Sequence, residues 1–231
     1  LIGAATGDAM GAATEGRSPG KIIEYFGHRV TDFETTPEDT FGSGNKPGQV
    51  TDDFSSAYFL AQSIVKNGGK VEEEAVKKGL IEWSEHSVFF DRFAGPTTRA
   101  AIRRMNGEVM EEESGIKIST RQATNGASMR ISPIGMLNPG NLKETLEETI
   151  RVTRLTHDNY LAISGACAIA CAVSEALTPK ADKYSVLQAA LWGAVEGEKR
   201  GKEISSDIAG PSVIKRIEYA ISIALSQGDP Q

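Results

Sequence analysis

Apolar side chains recur at helical spacing along most of the chain. In each of these segments they fall on one face, as expected for an amphipathic helix packed against a core. The predicted helices cover residues 54–65, 71–85, 96–105, 142–150, 159–177, 186–196 and 213–225. Residues 29–33 are at best a short extended piece, and no segment alternates as a strand does. The pattern therefore predicts an all-α, single-domain protein over residues 1–231.

The predicted helix at 159–177 is apolar nearly all round and rich in alanine, which favours a central helix against which neighbours pack closely. It contains the two cysteines, Cys167 and Cys171. Their spacing of four residues places them on one helical face, where a disulfide has poor geometry and burial as small apolar residues is favoured. This use of cysteine is typical of a reducing compartment and predicts a cytoplasmic protein.

Composition narrows the possible functions. The 231 residues are 39% hydrophobic and 24% charged, with a formal net charge of −6, as in an ordinary globular protein. No cluster of Lys and Arg forms a phosphate-binding face, which argues against nucleic-acid binding. No apolar run approaches the roughly 20 residues of a membrane span, so no membrane partner is expected. The sequence leaves the oligomeric state open.

The first segment with candidate chemistry is rich in small residues and runs from Gly7 to Gly16. Small side chains let a helix approach a ligand or another backbone closely. Glu15 is predicted at the end of this helix, where the helix dipole disfavours an anion and a nearby cation would compensate. The alternative is a packing helix that ends in a solvated glutamate.

The second segment is Thr51-Asp52-Asp53, at the start of the helix predicted at 54–65. Adjacent carboxylates repel one another, and both remain ionised at low cost only in water or beside a cation. A hydroxyl and two carboxylates form an oxygen ligand set of the kind that Mg²⁺ and Mn²⁺ prefer. The alternative is structural, because Thr at the N-cap followed by acids in the first turn is also favourable helix design.

The third segment is an Asn-Gly turn whose backbone N–H groups suit a phosphate or diphosphate. Within it, a hydroxyl and a guanidinium add further donors, and the arginine can also pair with an acid. The alternative is a turn into a helix that Asn125 caps. The candidate residues are Asn125, Gly126, Ala127, Ser128, Met129 and Arg130.

The fourth segment is Thr156-His157-Asp158-Asn159, directly before the apolar helix. At that position His157 can stack on a ligand or donate a hydrogen bond to it. A capping role or a satisfied histidine in the core fits the sequence equally well. His28 and His86 have surroundings that favour ordinary surface or packing roles.

Taken together and in this order, the four segments resemble the ADP-ribosylglycohydrolases, a family that includes dinitrogenase-reductase-activating glycohydrolases and J1 crystallins. The segments that begin at Gly7, Thr51, Asn125 and Thr156 are similar, in that order, to four family motifs. These motifs are G-D-A-x-G-A-x-x-E, T-D-D, N-G-x-x-M-R-x-x-P-I-G and T-H. Gly95-Pro96-Thr97-Thr98-Arg99 also resembles a recurrent family segment. The resemblance extends over essentially the whole chain.

The resemblance implies an all-α orthogonal helix bundle with two Mg²⁺ or Mn²⁺ ions in a central cleft. It implies a hydrolase that releases ADP-ribose from a modified protein side chain, such as arginine or serine, or from a small conjugate. Thr51, Asp52 and Asp53 would be metal ligands, and Asp52 with Glu15 would serve catalysis. Asn125 to Arg130 would contact the diphosphate and ribose, and His157 would flank the substrate.

One family feature has no counterpart in the sequence. The family completes its metal site with a late G-D-T-D-T-like segment, whereas Gly228-Asp229 is followed by Pro230 in place of the threonine. We expect the chain to be incomplete at its C-terminus, with the remaining ligands beyond Gln231, and to hold one cation or none by itself. The alternatives are a non-catalytic homologue of the J1 crystallin kind and a metal hydrolase with another substrate.

Overall fold

The computed structural model describes residues 1–108, 123–206 and 208–226. Every secondary-structure element in this part of the chain is an α-helix, which confirms the predicted all-α fold class. In chain order they are α1 (Ile2–Gly11), α2 (Pro19–Phe26), α3 (Asp52–Lys66), α4 (Glu73–Ser84), α5 (Ser87–Phe93), α6 (Pro96–Met105), α7 (Ser132–Leu137), α8 (Leu142–Arg154), α9 (Tyr160–Ala176), α10 (Lys183–Ile204) and α11 (Val213–Ser226). None of these helices has the length and apolarity needed to cross a membrane.

Short capping signals explain where several helices begin. Thr51 caps α3, and Asn159 caps α9 by accepting a 2.9 Å hydrogen bond from the Ala162 backbone N–H. Helix α2 was not predicted, although Ser18 caps it, proline occupies its first turn and Gly27 ends it with a φ of 75°. Helices α5 and α7 were also missed, because runs this short carry almost no periodic signal.

The bounds of α10 and the end of α1 differ from the predicted ones. Helix α10 extends on both sides of the predicted segment 186–196, starting from a capping box between Asp182 and Ser185. Helix α1 ends at Gly11, not beside Gly16, and residues 12–16 form turns. Glu15 therefore lies in a turn, where its backbone N–H donates to the Gly11 carbonyl over 2.9 Å.

Helix α9 is the element around which α7, α8 and α10 pack, as its composition predicts. On α10, Gly193 lies against the backbone of α9, where an added Cβ would come within 2.4 Å of the Cys167 carbonyl oxygen. On α7, a Cβ at Gly135 would come within 2.3 Å of the Ala170 carbonyl oxygen. The missing side chains let these helices approach α9 closely. Cys167 and Cys171 are both buried as free thiols.

A cluster of buried apolar residues joins α3, α4, α6, α7, α8 and α9. Its largest fully buried side chain is Trp83, whose indole N–H donates to the Ser55 hydroxyl over 3.0 Å. Phe90 packs edge-on against the same ring. Because Ser55 lies one turn into α3, this contact fixes the start of that helix against the core.

Helix α11 differs from the rest. Its apolar residues form the predicted stripe, but none of its side chains is buried. It contacts α9 and α10 but contributes no residue to the buried apolar cluster. Amphipathic spacing alone therefore did not identify a buried face.

Replacing Gly193 with alanine tests the close approach of α10 to α9. We expect Gly193→Ala to lower the free energy of unfolding by about 1–3 kcal/mol, because the new methyl group overlaps the Cys167 backbone. Gly3→Ala in α1 is the matched control, since its Cβ would meet nothing within 4 Å. Urea unfolding measures both, and equal stability of the two variants would contradict the packing described.

Candidate functional site

A cleft of about 240 Å³ brings together three of the four segments singled out in the sequence. Glu15 comes from the turns after α1, Asp52 and Asp53 come from the start of α3, and Asn125 and Gly126 come from the loop before α7. Its wall is completed by Phe41, Phe93, Gly95, Pro96, Thr97, Thr98, Thr124 and Met129. The cleft thus brings three carboxylate side chains and the loop before α7 to the same space.

Asp8 on α1 fixes the position of the α3 N-terminus. Its carboxylate accepts hydrogen bonds from the backbone N–H groups of Thr51, over 2.9 Å, and Phe54, over 3.0 Å. It also accepts a 2.7 Å hydrogen bond from the Thr51 hydroxyl. A carboxylate in this place satisfies free N–H groups and favours the helix dipole. Asp8 lies in the first motif, but the sequence did not predict this role.

Thr51 has a capping role and keeps one oxygen lone pair available. It is the N-cap of α3 and accepts a long, 3.4 Å hydrogen bond from the Asp53 backbone N–H, which confirms the structural interpretation of this segment. A threonine hydroxyl has one proton, and this one is donated to Asp8. A ligand of a cation must use a lone pair, so the direction of this bond suits Thr51 for that role.

The pKa values of Asp52 and Asp53 are both raised. Burial, followed by the charge of Asp53, raises the pKa of Asp52 to about 7. Burial, followed by the charge of Asp8, raises the pKa of Asp53 to about 6. Glu15 contributes to both shifts. The negative charges at this end of the cleft are therefore desolvated and mutually repelled, a condition that a cation relieves.

The residues fit part of a divalent-cation site. Thr51, Asp52 and Asp53 offer oxygen donors, the chemistry that Mg²⁺ and Mn²⁺ prefer. Among residues 1–108, 123–206 and 208–226, however, no group of three or more His, Cys, Asp or Glu side chains is placed to hold a metal ion. Gly228, Asp229 and Pro230 lie outside the described residues. The acidic pair therefore fits an open, partial ligand set.

The loop before α7 divides into residues that face the cleft and residues behind it. Asn125, Gly126 and Met129 line the cleft, whereas Ala127 is buried and Ser128 is half-buried outside its wall. Arg130 was expected to contact the diphosphate and ribose, but it does not line the cleft.

Arg130 is fully buried, and its guanidinium donates to the Gly126 carbonyl over 2.8 Å and to the Thr156 hydroxyl. The hydrogen bond to the Gly126 carbonyl keeps the guanidinium behind the loop, away from the cleft.

His157 is also buried, directly beneath the loop. Its Nε2 lies 2.7 Å from the Thr124 hydroxyl and its Nδ1 lies 2.8 Å from the Thr156 hydroxyl. A Cβ at Gly126 would come within 2.9 Å of the imidazole, so the loop rests on the ring. His157 does not line the cleft, and of its two predicted roles the structure places it as a satisfied core histidine that supports the loop. His28 is exposed, and His86 packs against Phe59.

Sequence reasoning missed several cleft residues. Thr124 directly precedes the Asn-Gly turn and was not among its candidate residues, yet it is exposed and lines the cleft. Thr97 and Thr98 belong to the Gly-Pro segment that resembled a family motif, which was the available signal. Phe41 carried none, because it lies in a stretch without periodicity. Beside the cleft, a groove of about 620 Å³ shares Glu15 and Phe41 with it and is otherwise lined by Gly16, Arg17, Ser18, Lys21, Asp39 and Thr40.

Comparison with known proteins identifies the class. The sequence model of the family described as ADP-ribosylglycohydrolase matches residues 1–230, and the chain belongs to that family. An uncharacterized protein of Escherichia coli, YegU, is 27% identical over 226 residues, which cover 96% of this chain and 65% of YegU.

Two further relatives match a smaller share of this chain. The chain is 28% identical over 166 residues to the ADP-ribosyl-[dinitrogen reductase] glycohydrolase of Rhodospirillum rubrum, covering 70% of this chain and 51% of that protein. An uncharacterized protein of Archaeoglobus fulgidus is 30% identical over 177 residues, covering 75% of this chain and 53% of its own length. The chain thus spans between half and two thirds of the length of these relatives.

Replacing Asp8 tests its role as the anchor of α3. We expect Asp8→Ala to lower the free energy of unfolding by about 1–3 kcal/mol, since three donors at the helix start lose their acceptor. Asp8→Asn should have a smaller effect, because an amide oxygen still accepts. Denaturant unfolding measures this, and an unchanged Asp8→Ala protein would contradict the role.

The raised pKa values predict how stability depends on pH without divalent cations. Asp52 and Asp53 bind protons more tightly in the folded state than in the unfolded state. The stabilisation that this tighter binding adds to the free energy of unfolding is fully present below about pH 4 and is lost as the pH rises to about 7. We expect the Tm of Asp52→Asn, measured in chelator, to fall less than that of the wild type across this range. Glu218→Gln on α11 should follow the wild type, and parallel curves for Asp52→Asn would contradict the shift.

Proposed function

We propose that the protein is a divalent-metal-dependent hydrolase that removes ADP-ribose from a modified protein side chain or a small ADP-ribose conjugate. The observation that supports this most directly is the shared cleft, in which Asp52 and Asp53 of α3 face the loop before α7. Family membership and the printed name of the Rhodospirillum relative support the same reaction class.

Thr51, Asp52 and Asp53 would hold the cation through oxygen atoms. Mg²⁺ and Mn²⁺ both suit such ligands, and the complete family site is expected to hold two ions. When bound, a divalent cation supplies Lewis acidity at the sugar and lowers the pKa of nearby water. The raised pKa values of both aspartates in its absence support the assignment, because a bound cation would offset the repulsion behind part of those shifts.

Glu15 is the proposed general base. It is exposed to the cleft from the turns after α1, within range to act electrostatically on Asp52 and Asp53. Its carboxylate takes a proton from water, and the water oxygen bonds to the anomeric carbon as the glycosidic bond breaks through an oxocarbenium-like state. The proton then passes to the departing acceptor group.

The groove beside the cleft gives the acceptor group a place. It shares Glu15 and Phe41 with the cleft, so a ligand cleaved next to Glu15 can extend into both spaces. Arg17 forms an ion pair with Asp39 at its wall, and this mixed charge suits a polar protein side chain. The cleft would hold the ADP-ribose, with the loop residues Asn125 and Gly126 near its diphosphate.

A second candidate is a non-catalytic homologue comparable to the J1 crystallins. One observation favours it: the carboxylates of the described residues do not by themselves make a closed metal site. The two proposals differ in their response to ligands. A hydrolase should gain thermal stability with Mn²⁺ and gain more when ADP-ribose is added, whereas a scaffold without a functional site should show neither shift.

Asp52→Ala tests the hydrolase directly. We expect release of ADP-ribose from ADP-ribosylated protein to require Mg²⁺ or Mn²⁺ and to fall by at least about a hundredfold in this variant, because the cation loses a carboxylate ligand. Glu218→Gln, an acid replaced on exposed α11, is the control and should retain activity. Equal release by Asp52→Ala and wild type would refute the assignment, and so would release that EDTA leaves unchanged.

A further inference from the structure

A chain of hydrogen bonds runs beneath the cleft from Arg130 to Thr124. The Arg130 guanidinium donates to the Thr156 hydroxyl, which contacts Nδ1 of His157. Nε2 of the same imidazole contacts the Thr124 hydroxyl over 2.7 Å. Arg130, Thr156 and His157 are buried, whereas Thr124 is exposed on the cleft wall. This series of hydrogen bonds therefore links the buried guanidinium of Arg130 to the cleft wall that a ligand would contact.

The chemistry of Arg130 fixes the direction of the first links. A guanidinium only donates, so Thr156 accepts from it. The Thr156 proton needs an acceptor because a buried hydroxyl proton without one is costly, and Nδ1 of His157 is the acceptor in contact. Nδ1 is therefore unprotonated. Burial, followed by the charge of Arg130, lowers the pKa of His157 to about 3 and keeps the ring neutral.

A neutral imidazole without a proton on Nδ1 has its proton on Nε2. His157 consequently donates to Thr124, and the Thr124 oxygen is the acceptor of that bond. Among the described residues no acceptor takes the single proton of the Thr124 hydroxyl, so it is left for a partner outside this series of hydrogen bonds. Because Thr124 is exposed at the cleft, that proton is available to a bound ligand.

We propose that Thr124 is a ligand-binding residue whose hydroxyl donates to an anionic phosphate oxygen, held in the donating orientation by the hydrogen bonds behind it. Arg130 and His157 act through Thr124 as positioning residues. The phosphate assignment rests on the proposed function and on charge. Arg130 has no carboxylate partner among the described residues, whereas the acids of the cleft come from other segments, the turns after α1 and the start of α3.

The direction of the chain is testable without substrate. The protein has three histidines, so the nitrogen signals of His157 can be assigned in two-dimensional ¹H–¹⁵N spectra by comparison with His28→Gln and His86→Gln. We expect His157 to be the Nε2–H tautomer and to show no titration between pH 5 and 8. An Nδ1–H tautomer, or a titration near neutrality, would overturn the proposed direction.

The binding role is testable with ADP-ribose as the probe, by calorimetry on the protein with Mn²⁺ present. Thr124→Val keeps the shape and removes the donor, and we expect it to weaken binding about tenfold or more, as for a lost hydrogen bond to a charged acceptor. Thr124→Ser should bind within about twofold of the wild type. Thr178→Val, outside the cleft lining, is the matched control and should bind as the wild type.

The outcomes separate this inference from the proposed function. If the wild type binds ADP-ribose and Thr124→Val binds it equally well, Thr124 is not a donor to the ligand and the proposed function stands. If the wild type does not bind ADP-ribose, the proposed function fails and the phosphate assignment fails with it. If Thr124→Ser binds as weakly as Thr124→Val, keeping the hydroxyl does not keep the affinity, and this outcome would also overturn the donor role.

Discussion

The close packing of neighbours on α9 is the contact on which much of the remaining structure depends. Glycines of α10 and α7 lie against its backbone, and any side chain there would overlap carbonyl oxygens. The residues just before α9 set the cleft as well, because Thr156 and His157 support the loop on which Asn125 and Gly126 lie. Helix α9 and the residues directly before it thus hold both the core and the loop of the site.

The other half of the cleft is governed by negative charge. Asp52 and Asp53 are desolvated beside each other and within reach of Asp8 and Glu15, which is unfavourable for a protein without a counter-charge. Asp8 is stabilised differently, because backbone N–H groups and the Thr51 hydroxyl satisfy its oxygens. Asp52 and Asp53 have no comparable set of donors among the described residues, and this contrast is the physical reason for the proposal that a cation binds the pair.

Sequence reasoning found the long helices and missed the short ones, although it predicted only the middle of α10. Helices α3 and α9 were found with ends close to the observed ones, since each has a polar cap and several turns of periodic residues. Helices α5 and α7 are too short for periodicity to register. Arg130 was expected to contact the ligand but is buried, whereas for His157 the sequence left a ligand contact and a core role open. A polar residue in a motif carries no mark of which side of a loop it faces.

By itself, the sequence determined the all-α class, the family, and the segments from which the cleft is built, because periodicity and motif order are local properties of the chain. The tertiary structure decided which atoms of those segments meet. Asp8 and Thr51 lie far apart in sequence and are joined by hydrogen bonds only when α1 packs beside α3. Thr124 gains its donor role only from a chain that includes His157 and Arg130. Hydrogen-bond direction depends on every partner in a network, and those partners come together only in the fold.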